Sequence, residues 1–256
     1  LHAEMLEMAA QFHQEKGSSN PRDRLMPIKA ISVALQWLDS LVTFAMTPKK
    51  MRIEEAKEVT KGIDNLYLYK DEGEMLTAFL DTIQDADILT GWNSEGYDIP
   101  YIVNRIQKVL SKDDTRKLCL WKQLPKKRVF ERFGREQETY DLVGRVHLDS
   151  LELYRKYTYE ERHSYRLDAI GEHELGEKKT VYEGSVDQVY NQDFRTFVEY
   201  NRQDTVLIDK LDRKLKFIAL TNELAHANTV LLQTTLGAVA VTEQAIINEA
   251  HRRGVQ

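Results

Sequence analysis

The stretch that decides the reading is Leu89–Ile106, "LTGWNSEGYDIPYIVNRI". Gly91, Trp92, Asn93, Gly96 and Pro100 gather around one acidic residue, Asp98. Ahead of them "DILTGWN" reads as a short strand running into a turn. Behind them "DIPYIVNRIQKVLSK" reads as a helix with Ile102, Ile106 and Val109 on one face. A lone carboxylate therefore stands at the joint between a strand, a tight Gly- and Asn-rich turn and an amphipathic helix.

Working outward, "PIKAISVALQWLDSLVTFAM" (27–46) reads as two strands broken near Asp39-Ser40. "IEEAKEVTKG" is either a helix ending at Gly62 or an insertion, and "NLYLYK" alternates as a strand does. "DEGEMLTAFLDTIQDA" sets Met75, Leu76, Phe79, Leu80 and Ile83 on one helical stripe. Beyond the opening stretch, 121–148 is irregular and fits a hairpin that rejoins the sheet at "RVHLDSL". "SYRLDAIGEHEL" (164–175) reads as a helix. From Gln192 the chain runs about forty residues without Gly or Pro, as one long helix or two abutting ones. "GAVAVTEQAIINEAHRRG" closes with a helix ending at Gly254. Strands alternating with helices in this order predict an α/β sheet domain, taken as one unit over 1–256 with a helical C-terminal part from about 192 to 256.

Composition narrows the chemistry. The single cysteine, Cys119, excludes an internal disulfide framework and a thiolate metal cluster, and the seven histidines form no H-x-x-x-H pair. Any bound metal must be held by carboxylates, which favours Mg²⁺ or Mn²⁺. No apolar run approaches the roughly 20 residues of a membrane span, and nothing directs the chain out of a cytoplasm. The net charge of −5 gives no global pull toward nucleic acid, but basic residues cluster in Arg116–Arg135. That cluster is either a solvated face or a grip on a polyanion.

A second notable stretch is "VEYNRQDTV", where Tyr200 and Asp204 stand four apart on a helical run and share one face. A phenol one turn from a carboxylate can orient a water that the carboxylate's metal polarises. A packed tyrosine beside an exposed aspartate is the plainer alternative.

Taken together, "WNSEGYDIPYI" and "YNRQDTV", 106 residues apart (204 − 98), resemble the second and third exonuclease motifs of family B DNA polymerases, especially those of T-even-type bacteriophages. "LDSLELYRKYTY", "SYRLDAIGEHEL" and the long helix after Tyr200 follow in that family's order. The resemblance covers the chain from about Pro27 onward. It implies an RNase H-like (DEDD-type) 3′→5′ proofreading exonuclease, a mixed central sheet flanked by helices, in which four acidic residues hold two Mg²⁺ or Mn²⁺ ions. By the match, Asp98 and Asp204 are metal-binding carboxylates, Tyr200 positions the attacking water, and Asn93 and Tyr97 face the DNA. The implied substrate is a single-stranded DNA 3′ end, with polymerase domains in cis or trans and, if the chain is viral, a host cytoplasm as its place of action.

The family's first motif, Asp-x-Glu, should fall near residues 5–7, where the chain reads Met5-Leu6-Glu7. Glu7 can stand for the glutamate, but its aspartate partner would be Met5, and a thioether cannot replace a carboxylate bridging two hard cations. Three readings stay open: the aspartate is substituted, the motif lies upstream of Leu1, or the segment is an amphipathic helix with no first motif. A catalytically inactive domain that binds DNA or a polymerase partner is the alternative function. Finally, Lys126, Lys127 and Arg128, with Trp121, Phe130 and Phe133, are expected to line a groove for single-stranded DNA. A hairpin in this region assists strand separation in the resembled family, and basic and aromatic side chains together bind single strands without sequence preference.

Overall fold

The computed structural model describes residues 5–12, 26–132, 135–177 and 185–255, and of 5–12 the backbone alone. Eight strands and nine helices are present among them. In chain order they run β1 (Met5–Phe12), β2 (Ile28–Leu35), β3 (Ser40–Met46), α1 (Ile53–Val59), β4 (Leu66–Tyr69), α2 (Glu72–Thr82), β5 (Ile88–Gly91), α3 (Asp98–Val109), β6 (Lys126–Arg132) and β7 (Arg135–Asp141). They continue with β8 (Val146–Asp149), α4 (Ser150–Tyr157), α5 (Leu167–Leu175), α6 (Val186–Gln192), α7 (Phe194–Leu215), α8 (Phe217–Asn228) and α9 (Ala238–Arg252).

Six strands form one mixed sheet in the order β4-β3-β2-β1-β5-β8, and β6 and β7 pair separately. β2 is antiparallel to β1 and β3, while β4 follows β3, and β5 and β8 follow β1, in parallel. Five strands thus point one way and only β2 opposes them. The connection from β1 moves to one side and β5 lies on its other side, so the strand order reverses at β1. In open α/β sheets ligand sites collect beyond the carboxyl ends of strands at such a reversal.

The two faces of β2 and β3 differ by the period-2 alternation of a strand. Ile31, Val33, Leu35, Val42 and Phe44 face one way and pack with Met75, Leu76, Phe79, Leu80 and Ile83 and with Ile99, Ile102, Val103 and Ile106 of α3. Burying each such side chain contributes about 2 kcal/mol, far more than the tenths that separate helix propensities, so the apolar stripe decides where α2 and α3 lie. The opposite face carries Ala30 and Ala45, which pack with Val189, Tyr190, Phe194, Phe197 and Val198 of α6 and α7. Its polar members hold α7 in register. Ser32 Oγ donates to Asn201 Oδ1 (2.6 Å), Thr205 Oγ1 donates to the Ser32 carbonyl (3.3 Å) and Arg202 donates to Thr43 Oγ1 (2.9 Å).

Every element expected from 27 to 119 is found within a few residues, the 36–39 break being a 3₁₀ turn that ends with Asp39 in the left-handed region (φ 45°). The long helical run is two helices, because Lys216 (φ 56°) turns the chain between α7 and α8. One open alternative is overturned: residues 5–12 are no amphipathic helix but a strand hydrogen-bonded on both edges, to β2 and to β5. A short apolar run does not by its spacing alone tell a helix from a strand.

Candidate active site

Asp98 is the first residue of α3 and only 8% exposed. A carboxylate in a helix's first turn meets the positive end of the backbone dipole, which favours its charge. The helix begins there because the chain turns sharply after β5 ends at Gly91. Asn93 adopts φ 58°, and the Ile99 amide bonds the Ser94 carbonyl (2.9 Å). Tyr97 precedes the helix and stacks on Tyr101, with ring centroids 6.1 Å apart. The Asn93 side chain is exposed, whereas the Trp92 ring turns inward and donates from Nε1 to the Tyr165 carbonyl (3.0 Å).

The turn is held from outside by β8 and by the hairpin. Asp149, at the end of β8, is 3% exposed. Its Oδ1 accepts the amides of Asn93 (2.9 Å) and Leu151 (2.9 Å), and its Oδ2 accepts that of Glu95 (3.0 Å). Burial pushes its pKa up to about 6 even against those three bonds. His147 Nε2 lies 2.9 Å from Ser94 Oγ, and burial, reinforced by the Arg128 charge, lowers its pKa to about 4. From the hairpin, Thr139 Oγ1 donates to the Glu95 carbonyl (2.8 Å) and Arg128 bridges the carboxylates of Glu95 and Asp141.

Tyr200 and Asp204 are both half-buried on α7, one turn apart, and Oδ1 of Asp204 is buried. Asn201 and Thr205 meet β2 at Ser32, and Gln36 reaches Asp209 (3.2 Å). Asp204 lies between these anchor points along the helix, and Ala34 lies between them along the strand. In the sheet register Ala34 is the partner of Glu7, whose other neighbour is Thr90, the residue before Gly91. The backbone of Glu7 therefore stands between the strand that α7 covers and the strand that leads to Asp98. Its side chain lies outside the described residues. Among the described residues no group of three Asp, Glu, His or Cys side chains is clustered closely enough to hold a metal ion.

In the basic hairpin two of the three expected DNA-facing cations have carboxylate partners. Lys127 pairs with Glu138 (2.7 Å), and Arg128 is bound into the turn as described. Lys126 is exposed, and so is Trp121, by 74%. Phe133 and the side chain of Phe130 lie outside the described residues. Asp149, His147 and Thr139 were not anticipated as parts of this site. The "LDSLELY" run signals Asp149 as a helix N-cap, an aspartate directly before an apolar-periodic stretch, but not its reach to the turn.

The site so built is a carboxylate seated at a helix start beyond a strand reversal in a mixed α/β sheet. A sequence model described as DNA polymerase family B, exonuclease domain, matches residues 6–170, and the chain belongs to that family. The matched span includes Glu7 and Asp98 and ends before Asp204. Among curated relatives, the chain is 28% identical over 204 residues to the DNA-directed DNA polymerase of Escherichia phage RB69, covering 78% of this chain and 22% of the relative. It is 24% identical over 204 residues to that of Enterobacteria phage T4, covering 78% and 23%. It is also 28% identical over 202 residues to the DNA polymerase delta catalytic subunit of Bos taurus, covering 73% and 18%. The chain thus spans about a fifth of the length of the relatives it matches. Among the described residues no helix is long and apolar enough to cross a membrane.

Proposed function

We propose that this chain carries a metal-dependent 3′→5′ exonuclease site of the RNase H-like DEDD type, acting on single-stranded DNA ends beside polymerase domains supplied in cis or in trans. The observation that carries the proposal is the seat of Asp98, buried at the start of α3 just past the strand reversal, within a family B exonuclease domain. The donor chemistry fits: Asp98, Asp204 and Glu7 offer hard anionic oxygens, while nitrogen and sulfur ligands take no part. Mg²⁺ or Mn²⁺ ions would activate the attacking water and offset charge on the departing 3′ oxygen. Asp98, Asp204 and Glu7 would hold the ions, the Tyr200 hydroxyl would orient the water, and Asn93 and Tyr97 would guide the strand end. Residues 1–256 serve as one exonuclease domain, its helical part from about 192 leading toward the polymerase portion.

Met5 favours a second reading. It stands two residues before Glu7 on β1, where the resembled motif has an aspartate, and its thioether is a poor donor for a hard cation. A domain lacking that carboxylate would bind DNA or a polymerase partner without hydrolysing it. Trimming of a 5′-labelled oligonucleotide with Mg²⁺, Mn²⁺ or EDTA separates the two. Divalent-dependent shortening from the 3′ end, lost in Asp98→Ala and in Asp204→Ala, is the outcome expected of the exonuclease. Tight binding with no shortening in any metal would sink it in favour of the second reading.

A further inference from the structure

We infer that Asp149 is a positioning residue for this site: its carboxylate sets the shape of the 92–97 turn and thereby delivers Asp98. The inference rests on the reading of Asp98 as a metal ligand.

Three aspartates cap helices through side-chain bonds in the described chain, and the contrast between them is informative. Asp71 and Asp193 bond the amides of Glu74 and Thr196 at the starts of α2 and α7, and both are exposed. Capping a helix therefore does not require burial here. Asp149 makes the same kind of bond to Leu151, yet it is 3% exposed and spends its remaining capacity elsewhere. Its other two bonds cross to Asn93 and Glu95, 56 and 54 residues earlier in the chain. Desolvating a carboxylate costs free energy that the three amide bonds offset only in part, and two of those three belong to the turn.

The geometry explains what those two bonds do. Amides two residues apart converge on one carboxylate only when the backbone between them curls, as Asn93 does at φ 58°. A non-glycine residue holds that conformation against a steric cost, so an outside partner that rewards it selects it. With the planes of 92–95 fixed, the Ser94 carbonyl is aimed at the Ile99 amide and α3 starts at Asp98. His147 and Thr139 secure the same turn at Ser94 and at the Glu95 carbonyl, but neither touches two of its amides.

The test separates this role from simple helix capping. Asp149→Ser keeps a good N-cap for α4 and loses the reach to the turn. Asp149→Asn keeps one acceptor oxygen and places an NH₂ against the Glu95 amide. Asp71→Asn serves as a control for the same exchange at an exposed aspartate cap. Mn²⁺ affinity of the full chain is measured by paramagnetic-resonance titration, and exchange of the Asn93 and Glu95 amides by hydrogen exchange. Both Asp149 variants should bind Mn²⁺ about tenfold or more weakly, the range typical of residues that orient a ligand, and both amides should exchange faster. Asp71→Asn should change neither. Wild-type Mn²⁺ affinity in Asp149→Ser, in a chain where Asp98→Asn abolishes binding, would overturn the inference while leaving the site reading intact. Equal affinity in wild type and Asp98→Asn would instead remove the site reading, and this inference with it. If the Asp149 variants fail to fold, the wild-type chain still decides: Mn²⁺ should slow exchange at Asn93 and Glu95, and unchanged exchange refutes the coupling.

Discussion

Tyr200 and Met5 pose the sharpest questions at the scale of single residues. A hydroxyl that orients water without holding the ion acts on the chemical step alone, so Tyr200→Phe should lower kcat by roughly tenfold or more, with KM and Mn²⁺ affinity nearly unchanged. Steady-state trimming of a labelled oligonucleotide reads this directly, and a raised KM with full kcat would reassign the residue to DNA binding. For Met5, the register of β1 makes the expectation concrete. Met5→Asp should raise hydrolysis by about 100-fold if that position completes the carboxylate set, and an unchanged rate would show that residue 5 does not serve the site. The buried pair on β8 gives a third prediction. Burial holds His147 near pH 4, below its usual 6.5, so its contribution to stability is full above 6.5 and lost as pH falls through 4. Asp149, raised from 3.8 to about 6, contributes most below 3.8 and loses that contribution as pH rises through 6. Each is worth about 3 kcal/mol, and between pH 4 and 6 the two slopes oppose and largely cancel. Asp149→Asn should therefore lose stability on acidification from 6.5 to 4, and His147→Gln should gain it, in urea titrations along that range.

Among the elements, α7 is the one whose placement matters most, because it carries Tyr200 and Asp204. It is wedged between the alanine and serine face of β2–β3 and α5, where Gly171 meets Leu207. A Cβ added at Gly171 would come within 2.8 Å of the Leu207 side chain. Gly171→Ala should thus cost about 1–3 kcal/mol by overpacking, despite alanine's better helix propensity, and thermal denaturation checks it. The sign tells whether packing or propensity decides here; a stabilised variant would mean α5 rides free of α7. The elements themselves were largely legible in the sequence. The Met75–Ile83 stripe and the "NLYLYK" alternation identify α2 and β4 because local periodicity reports burial directly. β1 was not legible, since Met5, Leu6, Met8 and Phe12 fit a helical period as well as a strand. The turn around Asp98 was visible as a motif, but the carboxylate that braces it was not. Asn93–Asp149 is a contact across 56 residues, and nothing in local sequence marks which buried acid faces which amide.

For the molecule as a whole, the hairpin and the sheet act as one piece around the site. β6 and β7 pair only with each other, yet Thr139 and Arg128 hold Glu95, and Tyr140 donates to Asn104 of α3 (2.8 Å). Basic side chains here consequently have two jobs that salt can separate. Replacing Lys126, Lys127 and Arg128 together with alanine should weaken single-stranded DNA binding and reduce the slope of log K on log salt by about one to three. Arg128→Ala alone should slow trimming more than it changes that slope, because its guanidinium is occupied by Glu95 and Asp141. Binding measured by fluorescence anisotropy between 50 and 200 mM salt, about a fourfold range over which phosphate contacts are exposed, distinguishes the two. An unchanged slope in the triple variant would return the hairpin to an ordinary solvated surface.

The central place of β1 also fixes an order of events during folding. Without it the sheet falls into two hydrogen-bonded parts, β4-β3-β2 and β5-β8. Joining Met5 to Ile88 closes a loop of 83 residues (88 − 5), one of the longest-range strand pairings in the sheet. Such closures are entropically costly and come late when local contacts can form first. β1 is thus kept waiting for its parallel partner, and the backbone ladder that joins the strand beneath Asp204 to the strand leading to Asp98 closes only when it is seated.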